Sequence, residues 1–420
     1  MSTAAAISVT APLRANDKEG KAMLTTAEAG NAILSAMPAA KTEAVALEKA
    51  SGRVLQQSVV AERDQPPFDR VTMDGIALSF ADFDNGTCRF PIQAMQAAGD
   101  PALTLDAGMC IEIMTGASLP TGADCIVPVE RICLKDNVAT VEKDYTTALR
   151  QFVHARGSDH LQGTELLRPG MRISPMDVAI IASCGLSKVV VSKLPTIRVI
   201  STGNELVAAG EPIEAHQIRM SNGPAMVAML EQHGYTNCAH DHIVDEPALL
   251  QQRIAEHLDV ANVLILSGGV SMGKADYVPE VLGELGVDVI FHKVSQRPGK
   301  PMWFGMGPNG QAVFALPGNP VSALVCCRQY VVPALHRAAG LRDAPPEFAS
   351  LAQDVTFNAR LTYFLPVKLI SGVGGQTLAM PVHTNTSGDF AALTGTAGYI
   401  ELALEQSNFP AGSGARLRRW

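Results

Sequence analysis

AVFALPGNPVSALVCCRQYVVPAL, residues 312–335, is the stretch whose reading decides the fold. Its first residues form a short apolar run, the pattern of a strand buried on both faces. From Pro320 onward the apolar residues recur at helical spacing, and proline is tolerated in the first turn of a helix. Between the two stand Pro317, Gly318, Asn319 and Pro320, more than a tight turn alone requires. A buried strand that feeds a helix through such a loop is the building unit of a parallel sheet.

Upstream the same alternation repeats. TIRVIST (196–202), NCAHDHIV (237–244), VANVLILSG (260–268) and VDVIFHKV (287–294) read as strands. PAMVAMLEQHG (224–234), PALLQQRIAEHL (247–258) and DYVPEVLGELG (276–286) read as helices. Residues 195–345 are therefore expected to form a doubly wound α/β domain. The tail 346–420 is strand-rich (DVTFNA, FLPVKLI, QTLAMPV, GYIELAL) and reads as a small β-barrel or sandwich. Towards the amino terminus, TTAEAGNAILSAM (25–37) has a threonine before a helical period, and RVLQQSVVAERD (53–64) looks like a strand. QPPFDR (65–70) breaks the pattern with paired prolines. From 65 to 154 short strand-like pieces (ALSFADFDNGTCRF, PIQAMQAAGDPALTLDAGMCIEIM, ADCIVPVERICL) alternate with Gly, Asp and Pro, a β-rich unit inserted in the domain formed by 21–64 and 155–194. In the returning segment PMDVAIIASCG (175–185) is a helix with Ser174 as its cap and Pro175 at its first position. Residues 1–20 read as a disordered tail without signal-peptide character.

Composition narrows the function. At 420 residues, 47% hydrophobic and 18% charged, the chain supports several cores. A formal net charge of −8 argues against a general nucleic-acid binder, and no apolar run reaches a membrane span. Eight cysteines show neither a Cys-x-x-Cys pair nor zinc spacing, which reads as reduced thiols in a cytoplasmic protein.

Ligands of an open parallel sheet bind outside the carboxyl ends of its strands. Five loops fall there: STGNEL (201–206), VDEP (244–247), SGGVSMGKADY (267–277), KVSQRPGKP (293–301) and LPGNP (316–320). Lys293, Arg297 and Lys300 gather positive charge in an acidic protein, which points to an oxyanion site; a solvated basic loop is the plain alternative. SGGVSMG offers backbone amides to an anion, although such turns are often only turns. Glu205, Asp245 and Asp276 are hard oxygen donors suited to Mg²⁺, unless each merely caps a helix. In LPGNP the prolines stiffen the loop, Gly318 permits close approach, and Ser322 with the helix amino terminus can contact an anion. PPFDRVTMDGIAL (66–78) and MTGASLPTGADCIVPVE (114–130) present Asp69, Asp74 and Thr115 on turns that matter only if they reach a pocket, for instance that of another subunit.

Taken in order, LEKASGRVLQQSVVAERDQPPFDRVTMDGIAL, IMTGASLPTGADCIVPVE, RGSD, STGNEL, SNGPAM, SGGVSMGKADY, RPGKP and LPGNPVSA resemble the MoeA family, the molybdopterin molybdenumtransferases related to the E domains of gephyrin and plant Cnx1. The resemblance runs from about residue 21 to the end. It implies a homodimer of four-domain subunits, a central MogA/MoaB-like domain, and a pocket shared between the α/β domain of one chain and the inserted domain of the other. It implies Mg²⁺-dependent insertion of molybdate into adenylated molybdopterin with release of AMP, and as protein partners a MogA-like adenylyltransferase and molybdoenzyme maturation proteins. By the same resemblance, Asp74, Thr115, Glu205, Asp245 and Asp276, with Lys293, Arg297 and Lys300, carry the reaction. Asp159, Ser201, Thr202, Gly203, Ser267, Gly268, Gly269, Ser271, Pro317, Gly318, Asn319, Pro320, Ser322, Arg360 and Ser387 bind the pterin, its phosphate or molybdate. Glu205, Asp245 and Asp276 are the Mg²⁺ ligands. The chain departs from the family pattern at His154, Met220, Lys274, Arg297 and Ala391-Ala392. Those departures leave a second reading, a weakly catalytic paralogue that carries molybdopterin or acts as a scaffold. Chemistry on another pterin or phosphate ester is a third.

Overall fold

Six strands make the central sheet of the computed structural model, which describes residues 23–269 and 277–420. Their spatial order is Cys238–Ile243, Ile197–Thr202, Val263–Ser267, Ala312–Leu316, Trp303–Met306 and Asp288–His292. The first four are mutually parallel, as the alternation of strand and helix predicts. Trp303–Met306, which the sequence reading does not single out, runs antiparallel between its two neighbours. It directly follows RPGKP, so that loop is a reversal between two strands instead of a crossover to a helix.

Both faces of the sheet are covered. On one, the helices Asn222–Gln232 and Pro320–Cys326 bury Met226, Leu230 and Cys326 against Val199, Ile265 and Phe314, and Ile33 of the amino-terminal helix Thr26–Ala36 joins them. On the other, Pro247–Val260 and Val278–Glu284 bury Leu250, Ile254 and Leu282 against Ile200, Leu264 and Val313. Burial of a Leu, Ile or Phe side chain contributes about 1.5–3 kcal/mol, so these two layers fix the sheet on which the loops are mounted. The helix after Ala312–Leu316 continues through a π turn at Cys327–Val331 into Val332–Ala338.

Five strands at the carboxyl end close on themselves: Thr362–Ser371, Thr377–Pro381, Glu347–Leu351, Gly414–Arg419 and Gly398–Leu402, the last pairing back with the first. Closure removes exposed edges, and the interior holds Leu365, Val367, Ile400 and Leu417. Two contacts bind this barrel to the sheet. Phe364 and Tyr399 pack on Val321 and Val325 of the helix that follows LPGNP. Gln296–Arg297 adds as a short parallel strand to Thr362–Ser371.

Thr42–Ala46 pairs with Lys188–Ser192, Val59–Val60 with Glu165–Leu167, and Arg70–Val71 with Val153–His154. Between them lies a second six-stranded sheet with apolar clusters on both faces, built around Ile76 and Phe90 and around Val71 and Ile126. Two local expectations are corrected. RVLQQSVVAERD is a broken path, with single bridges at Val54 and Leu55 and then Val59–Val60, because it turns from one partner to another. Within ALSFADFDNGTCRF only the end of the strand Gly75–Leu78 and the start of Arg89–Gln96 are strand; Phe80–Asp84 is a helical turn whose first N–H donates to Asp124 Oδ1 at 2.6 Å. Thr25 and Ser174 both form complete capping boxes, with Glu28 and Asp177. The expected tail 1–20 lies outside the described residues.

Candidate active site

A pocket of about 490 Å³ opens where RPGKP, LPGNP and the barrel loop 384–387 meet. Arg297, Lys300, Pro317, Asn319, Ser322 and Ser387 line it. Its floor is rigid for a reason readable in the hydrogen bonds. Gln296, fully buried, donates from Nε2 to the carbonyls of Pro298 at 3.0 Å and Gly299 at 3.3 Å and accepts the Tyr330 hydroxyl on Oε1. A side chain on Gly299 would stand 2.4 Å from Cys326 Sγ, so only glycine lets the loop seat there. Across the pocket Asn319 Nδ2 donates to Ser387 Oγ at 2.7 Å, and Val321 N–H to Ser387 O at 3.0 Å. The sheet and the barrel are thereby joined at the pocket wall. The Arg297 guanidinium lies 5.7 Å from the centre of the Phe357 ring, a cation–π contact that orients it.

Lys293, ahead of RPGKP, and Arg360, just before the barrel strand Thr362–Ser371, do not line the pocket. Lys293 turns the chain with φ 74°, its N–H donating to Met302 O at 2.8 Å. Arg360 is exposed.

Next to LPGNP the rim continues into the turns of the parallel strands. Asn222 Nδ2 donates to Ser267 Oγ at 2.9 Å and to Gly318 O at 2.7 Å, tying the turn after Val263–Ser267 to LPGNP. A Cβ on Gly268 would lie 2.5 Å from Thr202 O, and one on Gly318 would lie 3.6 Å from Gly268 Cα, so three backbones converge there. Among the described residues the Thr202 hydroxyl and Asn222 Oδ1 are buried without a hydrogen-bond partner. Unsatisfied buried groups are rare in proteins and mark places where a ligand or water completes the bonding. Ser201 Oγ shares a hydrogen bond of 3.0 Å with His240 Nε2, and the His240 ring occupies the space a side chain on Gly223 would need.

Glu205 is exposed and its carboxylate folds back over Gly203, 2.7 Å from where a Cβ would be. Gly203 O accepts from His242 Nε2 at 2.8 Å. Asp245 does not cap the following helix: Glu246 holds the cap position, and the Asp245 N–H donates to Asn204 Oδ1 at 3.0 Å. This leaves both carboxylates on the same rim. Among the described residues no group of three His, Cys, Asp or Glu side chains is arranged to hold a metal ion. Asp276, Ser271 and Lys274 lie outside the described residues.

The inserted sheet holds a separate constellation. Asp74 Oδ1 accepts the Thr115 N–H at 2.7 Å, and this bond, reinforced by the Thr115 hydroxyl, holds the carboxyl below its usual range. Nearby, His154 Nε2 and Asp159 Oδ1 are 3.0 Å apart, and Arg70 approaches His154 Nδ1 at 3.1 Å. Arginine can only donate, so Nδ1 accepts and the proton sits on Nε2, facing Asp159. Asp69 accepts from Arg150 at 2.6 Å and from the Arg156 N–H at 2.9 Å; the Arg150 bond is the largest cause of its lowered pKa. Asp74, Thr115 and Asp159 are exposed and do not line the pocket of their own chain.

Sequence reasoning does not single out Gln296, Tyr363 or the 384–386 wall. Gln296 is legible only as a polar residue in a buried strand end; Tyr363 and the 384–386 loop reach the pocket through barrel closure.

Models of known families cover most of the chain. The MoeA N-terminal region (domain I and II) matches residues 24–185, a probable molybdopterin binding domain matches 198–337, and the MoeA C-terminal region (domain IV) matches 349–416. A molybdopterin molybdenumtransferase of Synechocystis is 39% identical over 363 residues, 86% of this chain and 90% of that protein. This chain belongs to the MoeA family. A MoeA homologue from Staphylococcus epidermidis, also named molybdopterin molybdenumtransferase, is 29% identical over 94% of this chain and 95% of its own length. Among solved structures, a molybdopterin biosynthesis MoeA protein of Pyrococcus horikoshii superposes with a TM-score of 0.79 at 28% identity, covering 95% of this chain and 100% of that one. Fold class and family thus agree with the reading of the sequence.

Proposed function

We propose that this MoeA protein inserts molybdenum into adenylated molybdopterin, taking molybdate as its second substrate and releasing AMP with the finished cofactor. The chain is a transferase of molybdenum cofactor biosynthesis. The observation that carries the detailed reading is the pocket that sets Arg297 and Lys300 opposite Asn319, Ser322 and Ser387. Two cations and three neutral polar groups around one cavity suit a tetrahedral oxyanion held beside a second, phosphate-bearing one.

In this reading Lys300 and Arg297 bind and orient the oxyanions, and Ser322, Ser387 and Asn319 complete their hydrogen bonds. Lys293 and Arg360 add charge from outside the pocket lining. The Pro317–Pro320 loop holds the wall still, so little order is lost on binding. Charge that builds on the leaving phosphate is stabilised by cations already in place. The unpartnered Thr202 hydroxyl and Asn222 Oδ1 mark the turn region, with Ser201, Gly203, Ser267, Gly268 and Gly269, where the pterin-phosphate end would lie. Glu205 and Asp245 offer the hard oxygen donors that Mg²⁺ prefers and would hold it together with Asp276. Bound there, Mg²⁺ offsets phosphate charge.

Asp74, Thr115 and Asp159 belong to the reaction through a homodimer. Their exposure and their separation from the pocket of their own chain support an active site completed by the inserted domain of a second copy. The division into 21–64 with 155–194, 65–154, 195–345 and 346–420, cytoplasmic action, and partnership with a MogA-like adenylyltransferase and maturation proteins belong to the same reading.

The test is to supply purified protein with adenylated molybdopterin, Mg²⁺ and increasing molybdate while measuring AMP and active cofactor. Molybdate-dependent AMP release that falls at least tenfold in Lys300→Ala supports the reading. Pterin binding without turnover would replace it with a carrier.

A further inference from the structure

A second cavity, of about 430 Å³, lies at the opposite end of the central sheet, where the strands begin. One wall is the amino-terminal layer, residues 37–41, 52–54, 172 and 192–195; the other is the sheet domain at 234–235, 262–263, 309–310 and 335–339. Its volume is that of a small-molecule site, and clefts between packed layers are where such sites occur.

Its charge is one-sided. Among the described residues Lys41, Arg53, Arg172 and Lys193 line it and no Asp or Glu does, in a chain whose formal net charge is −8. Arg53 is partly compensated from outside the lining, by Glu43 at 2.5 Å and by Ser192 O at 2.8 Å, and Arg172 donates to Gly52 O at 2.9 Å. The lysines adjoin at the end of one antiparallel pairing, where the Lys193 N–H donates to Lys41 O at 2.7 Å. Like charges so placed repel unless something negative lies between them.

Polar groups in the lining also lack partners. Among the described residues Arg53 Nε and the Ser192 hydroxyl are buried without a hydrogen bond, and Ser192 is only 4% exposed. Tyr235, 3% exposed, has the Arg172 guanidinium as neighbour yet its hydroxyl closes no well-formed hydrogen bond. Three orphaned groups around one cationic cavity are a signature of a missing acceptor. The rest of the wall, with Met37, Leu194, Pro195 and Leu335, is apolar.

We propose that this cavity binds a small organic oxyanion, its phosphate or carboxylate against Arg53, Arg172, Ser192 and the two lysines, its apolar body against Leu194, Pro195 and Leu335. The ligand bridges the amino-terminal layer and the sheet domain and so stabilises their packing, at a site remote from the RPGKP pocket.

Calorimetric titration of the full chain with phenyl phosphate tests this, with inorganic phosphate and phenol in parallel and with Lys300→Ala as the background that weakens the other pocket. Saturable phenyl phosphate binding is expected in both wild type and Lys300→Ala, weaker binding of inorganic phosphate, and none of phenol. The exposed pair Lys41→Ser with Lys193→Ser should weaken binding at least tenfold, and Arg172→Gln should do the same. Because Arg172 also supports Gly52, the lysine pair decides if that variant does not fold. Absence of saturable binding in the millimolar range, or binding lost in Lys300→Ala but retained in the lysine pair, overturns the proposal.

Discussion

Gly75 follows Asp74 and has no room for a side chain, since a Cβ would stand 2.0 Å from Val127 O. The Gly75→Ala change must move one strand against its partner, and an overpacking cost of about 1–3 kcal/mol is expected in urea unfolding. Activity should fall further than stability, because the shift displaces the carboxylate beside it. Thr115 acts on the same carboxylate through hydrogen bonds. In Thr115→Val the N–H bond to Asp74 remains while the hydroxyl is lost, so the carboxyl binds its proton more readily. If ionised Asp74 is needed for turnover, the acid limb of the kcat/KM profile moves to higher pH in this variant; an unmoved limb would exclude that role.

At the scale of elements, helix ends and buried rings set the response to conditions. Ser174 closes a capping box with Asp177 before Pro175–Ser183, so Ser174→Ala is expected to cost about 1 kcal/mol, measurable as a lower urea midpoint at unchanged slope. His233, at the end of Asn222–Gln232, and His336, within Val332–Ala338, meet edge to face with centroids 5.7 Å apart. Burial is the chief cause that lowers their pKa values to about 4 and about 3, with Arg172 and Arg328 adding repulsion. A folded pKa below the unfolded value means the unfolded chain takes up protons first as pH falls. Stability from this pair is therefore complete above the ordinary histidine range and declines from there to about 4 for His233 and about 3 for His336. The urea midpoint should drop between about pH 7.5 and 5, and less so in His233→Gln with His336→Phe.

For the whole molecule, the decisive question is whether one active site uses two chains. Asp74→Ala and Lys300→Ala should each be inactive alone. If the proposed homodimer holds, mixing the two with subunit exchange makes half the dimers heterodimers, each with one intact shared site, so about a quarter of wild-type activity should return. A site contained in one chain gives no recovery, because every chain then carries a lesion. The packing of barrel on sheet adds a second constraint. Phe364 and Tyr399 bury against Val321 and Val325, so loosening that contact opens the wall shared by Asn319 and Ser387.

Local chemistry made much of this protein legible in its sequence. The inner parallel strands Val263–Ser267 and Ala312–Leu316 are apolar runs, LPGNP announces a stiff strand-to-helix junction, and Ser174-Pro175 marks a helix start, because periodicity, proline and capping act over a few residues. RPGKP could be singled out because its charges stand together in an acidic chain. What the sequence could not decide is which distant surfaces meet. Gln296 fastens RPGKP from beneath, Ser387 reaches Asn319 from 68 residues away, and the antiparallel Trp303–Met306 turns the loop toward the barrel. The far cavity likewise draws its cations from positions 41, 53, 172 and 193, which no short-range pattern connects. Those placements rest on the burial of apolar faces between layers, which orders residues by where the core lies and not by their spacing along the chain.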